Sequence, residues 1–347
     1  MRITLSAIAL LAFSISVIAD EAPFTPTFKV GATVFADFTQ QAAPVSKDVD
    51  GNDIHPSSFN VARAYINVTG SVTPRITFRI TPDVARESGS GSSLSGSQQF
   101  RLKYAFAQLS LDDWMSKGSW ARFGMQQTPF IDFTEAAYRY RFQGTLFAER
   151  EGYLTSSDTG VSLRYVLPAE YGEVHAGIYN GDGYSKAEAN DQKALQIRAT
   201  VRPLPRSAFW KALRTTVFYD GDHYIANGSR ERLLAQAMFE HKRFNAGIDA
   251  MSTRDRSSTS KPELEGRGWS AWATPKLGNG WEILLRHDQN RPDRSSEIER
   301  RRDIVGVAYW LPNLQKVSTA VLVDCDTLAV TAKPRETRYG VKMMLAF

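Results

Sequence analysis

Apolar and polar side chains alternate along most of this chain. In the segment 195–202, every second residue is aliphatic, and the residues between them are polar or basic. The same alternation recurs in 60–69, 75–81, 160–165, 281–288 and 338–347. Because side chains of a β-strand point to opposite faces in turn, this period of two predicts strands with one apolar face.

The alternation predicts about sixteen strands, most near the 9–11 residues that a tilted membrane-spanning strand needs. The predicted segments are 28–38, 59–69, 75–81, 100–111, 119–127, 157–166, 172–179, 193–202, 212–220, 231–240, 245–251, 268–274, 281–288, 303–310, 316–324 and 337–347.

The gaps between these segments alternate between long and short. The long gaps are 39–58, 82–99, 128–156, 180–192, 221–230, 252–267, 289–302 and 325–336, and shorter gaps separate them. A soluble β-sandwich has no reason to alternate in this way, whereas short periplasmic turns and long extracellular loops are typical of membrane barrels. The pattern therefore predicts an all-β fold, a transmembrane antiparallel barrel with both chain ends in the periplasm.

The first residues indicate export. A basic start at Arg2 precedes an apolar run, and small or aliphatic residues lie just before Asp20. This pattern predicts a signal peptide over 1–19, followed by the barrel over 20–347. A retained anchor helix is the alternative. Cys325 is the single cysteine of the chain, so no disulfide can form within it.

The last strand ends in an aromatic residue. Such an ending is typical of the signal by which the barrel-assembly machinery recognises outer-membrane proteins, and its apolar face would meet outer-membrane lipids. The predicted signal consists of Tyr339, Val341, Met343, Leu345 and Phe347. Other aromatic residues near strand ends predict the girdles that mark the membrane interfaces. They include Phe59, Trp120, Tyr165, Tyr219, Phe244, Trp269, Trp281 and Trp310.

The polar faces of the predicted strands carry more basic than acidic residues. The whole chain has 42 Lys and Arg against 37 Asp and Glu. A charge on the lipid face costs up to a few kcal/mol, so these side chains are expected to line the lumen. The cations are Arg63, Arg75, Arg79, Arg122, Arg164, Arg198, Arg202, Arg214, Arg286, Arg338 and Lys342. The acids are Glu240, Asp249, Glu282, Asp288 and Asp324.

This excess predicts a mild preference for anions, because rings of Arg and Lys favour anions in a pore. The alternative is that acids across the strands neutralise the arginines and leave little selectivity.

Sequence motifs for catalysis or metal binding are not found. The five histidines do not form an HExxH pattern, and the chain has no G-x-S-x-G motif. The acidic segment 48–53 lacks the spacing of a calcium loop. We therefore expect no catalytic residues, metal, cofactor or nucleic-acid partner. An outer-membrane enzyme and a structural or adhesion barrel without an open pore remain the alternatives.

Several segments resemble the phosphate-selective porin O/P family. The first is FNVARAY at 59–65, which resembles an early arginine-bearing strand of that family. The others are RFGMQQTPF at 122–130, FAER at 147–150, YNGDGY at 179–184 with Arg202-Pro203 after the next strand, and GWEILLRHD at 280–288. Taken in order, these segments extend the resemblance over about 57–347 of the chain.

The resemblance implies a homotrimeric porin of sixteen strands whose third outer loop folds into the lumen. That loop corresponds to 128–156, the longest gap, which makes it the candidate constriction loop. Arg139 and Arg141 would then lie near the narrowest point. The implied function is passive diffusion of small hydrophilic solutes and anions through the outer membrane. The family name further implies selectivity for phosphate among these anions.

Overall fold

A computed structural model describes residues 24–87, 93–188, 190–312 and 317–347, so the predicted signal peptide lies outside the described residues. Sixteen antiparallel strands close into a barrel. They are β1 Thr27–Ala43, β2 Ser57–Ser71, β3 Ile76–Arg86, β4 Gln98–Ser110, β5 Trp120–Gln127, β6 Ser157–Leu167, β7 Gly172–Tyr179, β8 Ala194–Val201, β9 Leu213–Asp222, β10 Ser229–Glu240, β11 Phe244–Arg256, β12 Leu264–Gly278, β13 Trp281–Arg291, β14 Arg300–Trp310, β15 Ser318–Val330 and β16 Glu336–Ala346.

Every predicted strand segment corresponds to one of these strands, so the predicted all-β barrel is confirmed. Neighbours in sequence pair with each other, and β1 pairs with β16 to close the cylinder. At the seam, the amide N of Phe347 donates to the carbonyl O of Ala32 at 3.0 Å. A barrel of this strand number leaves a lumen too wide for wall side chains alone to fill.

The two ends of the barrel differ. Both termini of the described chain lie at the same end of the barrel, which is called the terminal rim here. The opposite end of the barrel is called the loop rim. Several strands extend further toward the loop rim than the sequence predicts, as in β11 and β12. The predicted alternation of gap lengths is therefore wrong in part. The terminal-rim connection 202–212 is longer than the loop-rim connection 223–228.

Two connections at the loop rim carry secondary structure of their own. The connection after β1 forms a small hairpin from Ser46–Lys47 and Asp53–Ile54. The connection after β5 carries two helices, α1 Ile131–Tyr138 and α2 Phe147–Arg150. No helix within the described ranges is long and apolar enough to cross a membrane.

The outer face of the wall follows the predicted alternation. In β8, Leu195, Ile197 and Val201 are exposed, whereas Gln196, Arg198 and Thr200 are buried inside. For two aromatic residues, Trp120 and Trp310, the predicted position in an outward-facing girdle is wrong. The ring of Trp120 lies under the guanidinium of Arg122, and the ring of Trp310 packs on Tyr140 of the inward loop. Both residues share the parity of inward-facing neighbours, which a period-two pattern near a strand end does not reveal.

Phe347 offers a test of how the barrel closes. Its backbone pairs with Ala32, and its ring is 62% exposed on the outside. We expect Phe347→Asp to lower the folded, heat-modifiable fraction in the membrane, because a charge replaces an apolar ring at the interface. Electrophoresis of unheated and heated membrane fractions measures this. Phe24→Asp changes an exposed ring near the other end of the chain and serves as control. Normal assembly of the Phe347 variant would contradict the predicted signal.

Candidate pore and its inward loop

The segment 128–156 folds into the barrel. Its side chains pack there as tightly as in a soluble core, since Ile131 and Tyr140 are fully buried and Tyr138 is 1% exposed. A 29-residue connection that only crossed the rim would expose these side chains to water. The predicted inward position of this loop therefore agrees with the structure.

The part of the inner wall that the loop packs against is apolar, which the sequence analysis did not predict. Buried apolar side chains from the wall and the loop form one cluster. The wall contributes Phe35, Phe218, Leu234, Met238, Met251, Trp272, Leu284, Ile304, Ala308, Ala320 and Leu322. A signal was present, because Leu284 and Leu285 are adjacent apolar residues that point to opposite faces. When both faces of a strand are apolar, both faces are usually covered by other parts of the structure or by lipid.

Polar contacts fix the loop to the same wall. Arg286 of β13 forms a two-bond salt bridge with Asp288, with both N–O distances 2.8 Å. It also donates to the carbonyl O of Thr145 at 2.9 Å. Further along, the amide of Gln143 donates to Asp324 at 3.0 Å. Arg286 and Asp288 are therefore structural contacts beneath the loop, whereas the alternation predicted that they face water.

The two loop arginines that were predicted near the constriction, Arg139 and Arg141, are held by carboxylates. Arg139 forms a 2.5 Å salt bridge with Glu282, and its guanidinium lies over Trp310. Arg141 lies 2.7 Å from Glu135 and 3.4 Å from Glu149. These ion pairs offset the positive charge that the sequence predicts at the constriction.

A cavity of about 520 Å³ remains between the start of the loop and the wall near the terminal rim. We call it the terminal chamber. Basic, acidic and aromatic side chains line it, including Arg122, Arg164, Arg198, Arg202, Arg214, Asp132, Glu173, Phe133 and Trp120. A second cavity of about 360 Å³ adjoins it through Arg122 and Gln127, and it contains Lys29 and Arg79. Six of the predicted lumen arginines thus lie around these adjoining cavities.

These arginines divide into paired and unpaired groups. Arg164 and Arg198 share Glu173, and Arg214 pairs with Glu240. By contrast, no salt bridge involving Arg79, Arg122 or Arg202 is found in the described part of the chain.

The partners of Arg79 and Arg122 are neutral. Arg79 donates to Asn67 at 2.8 Å and lies over Tyr104. Arg122 donates to Gln108 at 2.8 Å and to Gln127 at 3.0 Å. Acidic residues therefore neutralise most of the predicted lumen arginines, as the alternative prediction had it, but they do not neutralise Arg79 and Arg122.

The remaining predicted site residues lie elsewhere. Arg63 pairs with the buried Asp83 at 2.7 Å. Arg338 and Lys342 line a cavity of about 340 Å³ on the other side of the loop. Arg75 was placed wrongly in the wall. It lies in the turn before β3, half exposed, and pairs with Asp113 of the next turn at 2.6 Å.

One loop carboxylate has a strongly shifted pKa. Burial inside the barrel and the nearby Glu149 raise the pKa of Glu135, Arg141 and Lys103 lower it, and the net result is a pKa of about 7. Desolvation disfavours the charged form of a carboxyl group, which explains the direction. Glu135 therefore changes charge near neutral pH.

This shift predicts a pH-dependent selectivity. Protonation of Glu135 below about pH 7 removes one negative charge from the lumen, so the preference for anions should be stronger at pH 5 than at pH 8. Reversal potentials across a salt gradient at both pH values measure the change. Glu135→Gln should reduce the difference between the two pH values. A difference of the same size in that variant would show that other groups cause the pH dependence.

Comparisons with known proteins agree with this architecture. The family model for phosphate-selective porin O and P matches residues 28–274. The anion-selective porin from Comamonas acidovorans superposes with a TM-score of 0.63 at 11% identity, covering 93% of this chain and 100% of that one. The trimer form of OmpT from Vibrio cholerae gives 0.59 at 10%, covering 93% and 100%. The channel DcaP of Acinetobacter baumannii gives 0.57 at 13%, covering 93% and 97%.

No curated protein sequence matches this chain significantly. The closed sixteen-stranded barrel, its inward loop and these comparisons define an outer-membrane porin of the bacterial cell envelope. The chain belongs to the phosphate-selective porin O and P family, since the family model matches well over half of it.

Proposed function

We propose that this porin conducts small hydrophilic solutes passively, with a mild preference for anions. The observation that carries the proposal is the set of Arg79, Arg122 and Arg202 around the terminal chamber and the cavity that adjoins it, each without a salt bridge in the described residues. Low-dielectric walls focus the field of such charges and raise the local concentration of anions. The name of the Comamonas protein, an anion-selective porin, supports the same direction.

Phosphate is, in this proposal, one permeant anion among several. The guanidinium fork matches phosphate well. However, Arg79 and Arg122 already donate to neutral side chains, and the inward loop contains no lysine. These features favour a diffuse positive field over a tight phosphate site.

The assembly and its orientation are also part of the proposal. We infer a homotrimer, which the trimer form of the Vibrio OmpT supports. The terminal rim would face the periplasm, as both ends of the chain do in barrels with short periplasmic turns. We further infer that the chain has no catalytic role, because Arg139, Tyr140 and Gln143 of the inward loop are used in a salt bridge and hydrogen bonds to the wall.

Liposome swelling tests passive diffusion. Liposomes that contain the protein should swell in pentose or hexose solutions, at rates that fall as solute size increases. Swelling should be faster with gluconate than with a cationic sugar amine of similar size, because the arginines attract the anion. Equal rates for the two charged solutes would contradict the anion preference, and the absence of swelling with any solute would contradict an open pore.

A further inference from the structure

The outer surface of β12 and β13 carries two like charges side by side near the loop rim. Arg267 of β12 lies directly opposite Arg291 of β13 in the pairing register. Like charges directly opposite on one face of a sheet destabilise the pair. Arg267 is exposed and forms neither a salt bridge nor a side-chain hydrogen bond within the described ranges. Its nearest acid along the strand, Glu265, is engaged by Arg294 at 3.7 Å and Arg254 at 4.0 Å.

A third arginine joins this surface from β14. Arg301 lies opposite Gln289 and is 60% exposed. It shares a single carboxylate, Glu299, with Arg291, which lies 3.2 Å from that group. Arg291 and Arg301 thus share one carboxylate, and Arg267 has none within salt-bridge distance in the described residues. The surface formed by Arg267, Arg291 and Arg301 is called the arginine cluster here, and it carries excess positive charge on the outside of the barrel.

The height of this cluster matches a membrane interface. Ten residues separate Arg291 from Trp281, which lies at the start of β13 beside the terminal rim. A strand that rises about 3.4 Å per residue and tilts by about 40° covers roughly 26 Å along the barrel axis in ten residues. The apolar band of a membrane barrel is about 25 Å tall. The arginine cluster therefore lies at the level of the lipid headgroups near the loop rim.

An external groove of about 670 Å³ lies against the cluster. Its floor contains the small residue Ala250 and the exposed Ile248, and one side is the ring of Trp269. The indole N–H of Trp269 donates to Gln289 at 3.1 Å, which holds the ring in place. Arg267, Arg291 and Glu299 line the same groove, so two guanidinium groups and one carboxylate lie where the apolar channel ends, and the excess charge there is positive.

We propose that this surface binds a phosphorylated lipid of the leaflet at the loop rim. The phosphate would lie between Arg267 and Arg291, where a shared anion removes their mutual repulsion and accepts hydrogen bonds from both forks. One acyl chain would lie in the groove along Ala250 and Ile248. The inference relies on the membrane location of the barrel and is independent of what passes through the pore.

Lipid retention in mixed micelles tests the proposal. The purified protein is mixed with phosphatidylglycerol or phosphatidylcholine, and the retained lipids are counted by native mass spectrometry. We expect the wild-type protein to retain phosphatidylglycerol roughly tenfold better, as expected for charge-assisted hydrogen bonds to phosphate. Arg267→Gln with Arg291→Gln should remove this difference. Ala250→Trp, which fills the groove without changing charge, should also reduce retention.

Two controls distinguish a lipid site from a general effect of surface charge and from a site for free phosphate. Arg254→Gln with Arg294→Gln removes the same charge from neighbouring arginines that are already engaged by Glu265, and it should retain lipid as the wild type does. An excess of inorganic phosphate should not displace the lipid. Displacement by phosphate, or equal retention by the wild type and the Arg267/Arg291 variant, would overturn the proposal.

Two further measurements complete the test. Loss of the oligomer in the Ala250→Trp variant, with lipid retention unchanged, would also overturn it and indicate that a second copy covers this face. Single-channel recordings of each variant confirm a folded pore. If lipid retention follows the prediction while no variant conducts, the proposed function fails and the lipid site remains.

Discussion

Changing Arg79 and Arg122 to glutamate is expected to convert the pore from anion preference to cation preference. Both side chains lie on the cavities beside the inward loop, and their partners are neutral. The double variant changes the local charge by four units. Wall potentials of this kind reach several kT, so we expect the chloride-to-potassium permeability ratio to fall roughly tenfold.

Two comparisons make this prediction specific. Arg79→Gln with Arg122→Gln removes half as much charge and should give about half the shift in reversal potential. Arg254→Glu with Arg256→Glu changes the same charge on the outside of β11 and should have a much smaller effect, because exposed charges beyond about 8 Å are screened at physiological salt. Equal shifts in the two glutamate variants would mean that Arg79 and Arg122 do not line the conducting path.

The second large effect is expected at Arg286. Its side chain is 1% exposed, and it pairs with Asp288, which is 4% exposed. Arg286→Met leaves a buried carboxylate without its partner and removes the hydrogen bond to Thr145. Breaking one side of a buried ion pair costs about 3–5 kcal/mol. Urea unfolding of the refolded protein in detergent should show this loss in the free energy of unfolding.

The loss of the loop contact should also appear in single-channel traces. With the Thr145 contact gone, the inward loop should move more, and the current should become noisier. Arg286→Met with Asp288→Asn removes the uncompensated charge and should recover a large part of the stability, but not the quiet current. A loss below about 1 kcal/mol in the single variant would contradict the structural role of this pair.

The fold was predictable because alternation is a local property of the chain. In β8, four outward aliphatic residues and the inward Arg198 follow directly from the period of two. The strand count and the inward loop follow from the same pattern and from the family resemblance. Strand ends were less predictable, since hydrogen bonding continues past the membrane band at the loop rim, as in β12.

The site was less predictable because it depends on contacts between residues that are distant in sequence. Period two places Arg286 and Arg79 on the same inner face, but only the packing shows one beneath the loop and the other beside a cavity. The pairing of Arg139 with Glu282 joins residues far apart in the chain. Adjacent apolar residues such as Leu284 and Leu285 were the available signal that the inner wall is covered.

The reversal potential of the wild-type channel tests the proposed anion preference most directly. The protein is inserted into a planar bilayer with a tenfold gradient of potassium chloride, and the potential at zero current is read for single channels. We expect an open pore whose reversal potential shows preference for chloride, because Arg79, Arg122 and Arg202 lack carboxylate partners in the described structure. A reversal potential that shows preference for potassium, or a barrel that conducts no current, would contradict the proposal.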